Sequence, residues 1–225
     1  MAQEFLNVTD PTQNNVDYIS GAATLSAAYP VTMNVWFYPP SASVTGFLNL
    51  VGVGNTSSNV SHHRLRINNT TLRVSGATQD TGSATTAVTA SVNYTASAWN
   101  MATYVCTSAT SRTVYVNAGG SGTTAVSRTV TAPTDWLIGG RYAFASPIPL
   151  YEGYLAEFSV WDAALTVDEI TSLYRGAKAD GIRPQSLKVY VPLVRNHTDT
   201  RGLTTSITSN FPSGAAVKDH VRRYG

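Results

Sequence analysis

Short segments in which apolar and polar residues alternate fill most of this chain, and they restrict its fold more than any other feature. In VTMNVWFY, residues 31–38, the apolar side chains of Val31, Met33, Val35 and Phe37 fall on one face. The segments HRLRI and TLRVS repeat the pattern with arginine on the opposite face. Turns rich in Ser, Thr, Asn and Gly separate such segments. Because closely spaced strands joined by short turns pack as antiparallel layers, the sequence predicts an all-β, two-sheet jelly-roll sandwich.

One segment departs from this pattern and predicts a single short helix near residues 166–176. Thr166 stands three residues before Glu169, the spacing of a capping box, in which each side chain satisfies a backbone N–H of the other residue. Gly176 can end the helix because glycine adopts the left-handed conformation of a C-terminal cap without strain. Since the strand GYLAEFSVW runs almost directly into this helix, we expect the helix to lie between the two sheets and connect them.

The composition excludes several classes of protein. Charged residues make up 12% of the chain, the net charge is +2 and no stretch carries a basic cluster, so we expect no nucleic-acid partner. No apolar run reaches membrane-spanning length and the N-terminus lacks a secretion signal, so we expect synthesis in the host cytoplasm without membrane insertion. Cys106 is the single cysteine, and we predict that it is a buried apolar residue.

The two ends of the chain are polar and poorly patterned. We predict an N-terminal arm over residues 1–20, a sandwich domain over 21–205 and a C-terminal tail over 206–225.

The predicted strand and helix together carry a family resemblance. The segment GYLAEFSVWD, followed by ALTVDEITSLY, resembles the closing signature of LamG-like domains of the concanavalin A-like lectin/glucanase superfamily. SAWNMATYVCTSATSRTVYVNAG and DWLIGGRY resemble two earlier segments of that family in order. The resemblance implies a concanavalin A-like jelly roll, whose members bind sugars, bind proteins or present a stable surface.

Two departures from the family pattern bear on cofactors and on the turns. The acidic residues that bind calcium in some relatives have no clear counterpart, so we expect neither a metal site nor another cofactor. The usual Asp-Gly hairpin is replaced by Asn-Ala-Gly-Gly at residues 117–120, and we interpret the glycine-rich segment NAGGSG as a flexible turn between two strands.

The titratable residues do not form a catalytic set. Glycoside hydrolysis requires two carboxylates about 5–10 Å apart across a cleft. Glu152 and Glu157 fall on opposite faces of a strand, Asp162 falls at its end, and the Glu-x-Asp-x-Glu pattern of the superfamily's hydrolases is absent. We therefore predict that the protein is not an enzyme and that Glu157 accepts structural hydrogen bonds. His62 and His63 point to opposite faces, and we interpret them as surface histidines rather than metal ligands.

Aromatic residues offer the chemistry of sugar binding, because Trp and Tyr rings stack on pyranose faces. The four tryptophans fall in predicted strands, where core packing is the ordinary role: Trp36, Trp99, Trp136 and Trp161. The loop GRYAFASPIPLYEG is rich in aromatic residues and proline. We therefore predict that Arg141, Tyr142 and Tyr151 form a contact surface for a glycan or a protein.

Two functions are compatible with these features. A small chain without a catalytic set that carries a segment such as IRPQSLKVYVPLVRN, residues 182–196, resembles LamG-like proteins encoded among the virion genes of tailed phages. That resemblance implies a non-enzymatic capsid decoration or cement protein in the virion, with the major capsid protein, other virion proteins and further copies of itself as partners. The alternative is a carbohydrate-binding, lectin-like adhesin on the head or tail that recognises host-surface glycans.

Overall fold

The computed structural model describes residues 18–22, 25–40, 46–55, 60–140 and 151–193 in full, together with the backbone of three further strands near the ends of the chain. The strands of the described residues are β1 Ala2–Phe5, β2 Tyr18–Ala22, β3 Val31–Tyr38, β4 Phe47–Gly54, β5 His62–Asn68, β6 Arg73–Gln79, β7 Thr85–Asn93, β8 Asn100–Ser108, β9 Ser111–Val116, β10 Gly119–Thr124, β11 Asp135–Ile138, β12 Gly153–Trp161, β13 Leu187–Val191, β14 Ile207–Asn210 and β15 Val217–Lys218. A helix, α1 (Val167–Tyr174), and a short 3-10 helix, Ala179–Gly181, lie between β12 and β13.

These strands form two antiparallel sheets. The eight-stranded sheet has the order β10-β9-β8-β3-β12-β1-β15, with β13 also paired to β12. The seven-stranded sheet has the order β14-β2-β11-β4-β5-β6-β7. The predicted all-β, two-sheet sandwich, with one short α-helix in the described part of the chain, is confirmed.

The core lies between the two sheets and is built by the alternation in the sequence. Val31, Met33, Val35 and Phe37 of β3 are fully buried in one apolar cluster with residues of β5 and β6 from the opposite sheet. Because every second side chain of a strand points the same way, the remaining side chains of these strands form the outer faces of the sandwich.

Helix α1 begins and ends as predicted but lies elsewhere. Its buried residues, Ile170 and Leu173, belong to a second apolar cluster with Met101 of β8 and Trp161 of β12. These two strand residues alternate with core residues, so they point away from the core. The helix therefore covers the outer face of the eight-stranded sheet, and the expectation that it lies between the sheets is wrong. Its apolar stripe requires an apolar surface, and that face provides one.

The strands nearest the chain ends belong to the sheets. Strand β1 pairs with β12 and with β15, where Ala2 lies opposite Lys218. Strand β14 pairs with β2. The predicted division into an arm, a sandwich domain and a tail remains a prediction. Among the described residues, no helix is long and apolar enough to cross a membrane.

Candidate functional site

Three half-buried aromatic side chains form a row on the outer face of the eight-stranded sheet, beside helix α1. We call Trp99, Tyr38 and Tyr154 the aromatic row. Strand register places Tyr38 opposite Tyr154, and Trp99 immediately precedes β8 on the other side of β3. The ring of Tyr38 lies 5.9 Å from that of Trp99 and 6.1 Å from that of Tyr154, with interplanar angles of 70° and 82°. Such edge-to-face contacts stabilise each ring in a defined orientation.

The backbone under Tyr38 is held by its neighbours in space. The hydroxyl of Tyr151 donates a hydrogen bond to the carbonyl oxygen of Tyr38. Gly153 has φ +129°, and a Cβ atom at that position would lie 2.5 Å from the same oxygen. Glycine is therefore required for the close approach of β12 to the end of β3.

The turn that carries Trp99 is fixed by a buried side chain. The amide of Asn100 donates to the carbonyl oxygens of Thr95 and Ala98 at 2.8 and 2.9 Å and accepts from the Thr95 N–H at 2.9 Å. Thr95 and Ser97 belong to the same turn and are exposed, so polar residues precede Trp99 at the surface. Rigid aromatic rings with a polar rim can pack against the apolar face of a sugar while hydroxyl groups bond its edge.

A second aromatic pair connects this face to the helix. Trp36, two residues before Tyr38, stacks on Tyr174 of α1 at 5.7 Å with an interplanar angle of 9°. One face of the Trp36 ring is thus covered by Tyr174, and the pair stabilises the helix on the sheet.

A family model covers most of these elements. The model Laminin_G_3, described as concanavalin A-like lectin/glucanases superfamily, matches residues 12–171. The chain belongs to this laminin G-like family. A search of curated proteins gives no match.

Several solved structures share the laminin G-like fold of this chain. The heptameric SAP-like pentraxin of Limulus polyphemus has a TM-score of 0.67 at 14% identity, over 96% of this chain and 93% of its own. A putative carbohydrate-binding protein of Bacteroides ovatus has a TM-score of 0.62 at 15% identity, over 96% of this chain and 61% of its own. The CBM40 module of the Ruminococcus gnavus IT-sialidase has a TM-score of 0.54 at 15% identity, over 77% of this chain and 98% of its own. At such identities the likeness concerns the fold alone.

The structure differs from the contact surface predicted for this laminin G-like chain. Arg141 and Tyr142 lie outside the described residues and stay predictions. Tyr151 is fully buried, and desolvation raises the pKa of its phenol well above the usual value. Its ring cannot stack on a ligand at the surface, so the prediction is wrong for this residue. Tyr151 instead positions Tyr38.

The core role predicted for the tryptophans holds for two of them. Trp136 and Trp161 are fully buried. Trp36 and Trp99 are only half-buried on the outer face. Trp36 and Tyr38 occupy the polar register of VTMNVWFY, and two aromatic residues on that register are the sequence signal that the core interpretation overlooked.

The acidic residues of the laminin G-like domain lie apart and have structural contacts. Glu157 occupies a β-bulge with φ +55°, and its carboxylate accepts a short hydrogen bond from the Tyr190 hydroxyl. Asp162 lies 3.1 Å from the Lys188 ammonium and accepts from Ser26 at 3.1 Å. Desolvation raises the pKa of Glu152. Glu152 and Glu157 are five residues apart in the sequence. At about 3.3 Å per residue in an extended chain they are separated by roughly 16 Å, which is farther than the two carboxylates of a glycoside hydrolase.

The interpretation of the two histidines as surface residues is wrong. His62 and His63 have exposed fractions of 1% and 0%. His63 Nδ1 lies 2.9 Å from the Thr78 hydroxyl and 3.6 Å from the Cys106 sulfur. Desolvation lowers the pKa of His63 to about 3 and raises that of Cys106 to about 12, so both groups are neutral near pH 7. The predicted burial of Cys106 is confirmed, and no group of metal-binding side chains occurs among the described residues.

Proposed function

We propose that this laminin G-like protein is a non-enzymatic carbohydrate-binding domain and that its aromatic row contacts the sugar. The observation that carries the proposal is the row itself: Trp99, Tyr38 and Tyr154 are half-buried, and neighbouring rings lie about 6 Å apart. Hydrogen bonds from Tyr151 and Asn100 hold the backbone at Tyr38 and beside Trp99. The family description includes lectins, and two similar structures are named as carbohydrate-binding modules or proteins. The CBM40 module has also been solved with α2,3-sialyllactose bound.

The non-enzymatic part of the proposal is supported by the contacts of the acidic residues. Glu157 is 8% exposed and is engaged by Tyr190, while Asp162 is engaged by Lys188. These contacts give both carboxylates a structural role, and a hydrolase would instead need two carboxylates facing each other across a cleft.

A role in capsid decoration, a virion location and self-association remain predictions from the sequence. Self-association is supported by the Limulus pentraxin, a similar structure that is a heptamer. Imaging of virus particles that contain the protein would test these predictions, since a decoration protein should occupy regular positions on the head shell.

Substitution of the aromatic row tests the glycan proposal. A neutral oligosaccharide selected on a glycan array should bind Trp99→Ala and Tyr154→Ala at least about tenfold more weakly than the unmodified protein by calorimetry, a loss of about 1.4 kcal/mol each. Val92→Ala, which truncates an exposed apolar side chain on β7 of the other sheet, is the control and should leave that affinity unchanged. Absence of any bound neutral glycan, or full affinity in both row variants, would contradict the proposal.

A further inference from the structure

Three arginines lie on the outer face of the seven-stranded sheet. Arg64 and Arg66 alternate with buried core residues of β5, and Arg73 precedes the buried Val74 in β6. Register sets Arg66 opposite Ser75, and Arg73 opposite Asn68 on the adjoining strand. Since directly opposed residues share a face, the three guanidinium groups belong to the same side of the sheet.

Four adjacent strands of this sheet carry a net positive charge, and the neighbouring strand β11 begins at Asp135. The adjacent strands β4, β5, β6 and β7 contain these three arginines and no Asp or Glu, giving a formal charge of +3 with histidine neutral. The whole chain has a net charge of only +2. Because a guanidinium stays protonated at any ordinary pH, this charge is permanent.

Two of the arginines are accessible to solvent at one end of the strands, beside an exposed aromatic ring. We call Phe47, Arg66 and Arg73 the arginine corner. Phe47 has an exposed fraction of 44%, and Arg66 and Arg73 are half-buried. Arg64 is only 8% exposed, so it adds positive charge to the sheet but is not part of the corner.

Both guanidinium groups of the corner are held in place. The Arg66 Cζ atom lies 4.0 Å from the centre of the Phe47 ring. Arg73 Nη1 donates to the carbonyl oxygen of Ala90 at 2.9 Å, and the small side chains of Ser75 and Thr89 bond each other at 2.9 Å beside it. A positioned guanidinium loses less conformational freedom when it binds an anion, and its planar set of N–H groups matches a carboxylate or sulfate.

We propose that the arginine corner binds the anionic group of an acidic glycan, a carboxylate or a sulfate, while the Phe47 ring packs against the sugar. This site goes beyond the proposed function, because it lies on the other sheet from the aromatic row and selects a different ligand chemistry. Nucleic acid fits the corner less well. Its affinity depends on the number of phosphates neutralised, and the corner offers two accessible cations and one exposed ring.

The test uses the full chain and defined oligosaccharides. Calorimetry at low salt should detect binding of a galacturonic acid hexamer or a sulfated galactose hexamer, and no binding of the methyl-esterified galacturonic acid hexamer. Arg66→Gln and Arg73→Gln should each weaken binding of the acidic hexamer about tenfold, because each removes a charged pair of N–H donors. Arg66→Lys keeps the charge but loses the planar donor set, so it should also weaken binding.

The matched control is Arg175→Gln, which removes the same charge from an exposed residue at the end of helix α1 on the opposite sheet. It should change the affinity less than twofold. The proposal is overturned if neither acidic hexamer binds, if Arg175→Gln weakens binding as much as Arg66→Gln, or if a DNA hexamer binds more tightly than both acidic hexamers. Neutral-glycan binding should survive Arg66→Gln, and acidic-glycan binding should survive Trp99→Ala, so failure of one site is distinguishable from failure of the other.

Discussion

A chain of hydrogen-bonded side chains crosses the interior of the sandwich at His63. The Thr78 hydroxyl of β6 lies 2.9 Å from His63 Nδ1 and 2.9 Å from the Tyr104 hydroxyl of β8, so it links the two sheets directly. Arg112 is also buried nearby and helps to lower the pKa of His63. Because buried polar groups without partners are costly, this set acts as a unit that stabilises one arrangement of the two sheets.

The buried imidazole makes stability depend on pH. The unfolded chain protonates this histidine near pH 6.5, whereas the folded chain does so only near pH 3, so stability falls as pH drops below about 6.5. Urea unfolding at pH 7 and pH 5 should show that the unmodified protein loses about 2 kcal/mol more than His63→Gln over this interval. Equal losses in the two proteins would show that His63 is not the responsible group.

The same alternation of apolar and polar residues that predicted the core also places His63 on the core face of its strand. In HHRLRI, His63 shares its register with Leu65 and Ile67, which are fully buried. The surface interpretation followed residue type rather than register, because a single sequence does not indicate that Thr78 will supply a partner. Residue type was also the reason for expecting Trp99 in the core. Its position on the outer face depends on a turn that the Asn100 side chain fixes.

Helix α1 is an element whose ends are specified by its own residues. The capping box of Thr166 and Glu169 is present, and the N–H groups of Gly176 and Ala177 bond the carbonyl oxygens of Leu173 and Ser172, both at 3.0 Å. This is a Schellman motif, with Gly176 at φ +103°. Local chemistry was therefore sufficient to predict where the helix begins and ends. Its position on the outer sheet face depends on distant residues of β8 and β12, which local patterns do not reveal.

Loss of the cap should destabilise the protein measurably. Thr166→Ala removes the oxygen that accepts the Glu169 N–H, so we expect the free energy of unfolding to fall by about 1 kcal/mol. Thr166→Ser keeps the hydroxyl and should stay within about 0.5 kcal/mol of the unmodified protein in the same urea titration. A similar loss in both variants would mean that the methyl group, and not the cap, is responsible.

At the scale of the whole molecule, the two sheets come together along one edge, where β10 lies against β7. A Cβ atom on Gly122 would lie 2.0 Å from the Thr89 carbonyl oxygen, and one on Gly120 would lie 2.0 Å from Val92 Cγ2. The glycine-rich segment interpreted as a flexible turn therefore includes an ordered strand, Gly119–Thr124. Glycine's low strand propensity concealed it, although close backbone approach is one reason for glycine in a strand.

A side chain at this closure should force the sheets apart. Gly122→Ala is expected to lower the free energy of unfolding by about 1–3 kcal/mol, the range typical of overpacking. Gly119→Ala in the same strand is the matched control, since its Cβ atom would meet nothing within 4 Å. Denaturant midpoints of the two variants compare them directly, and equal midpoints would contradict a steric closure.

The pairing of β1 with β15 makes the chain suitable for circular permutation. Since Ala2 lies opposite Lys218 on the neighbouring strand, a linker from Lys218 to Ala2 would have to cross only one interstrand spacing, about 5 Å. A circular permutant with its new ends at the exposed Thr110, between β8 and β9, would keep the pairing of β8 with β9 and that of β1 with β15.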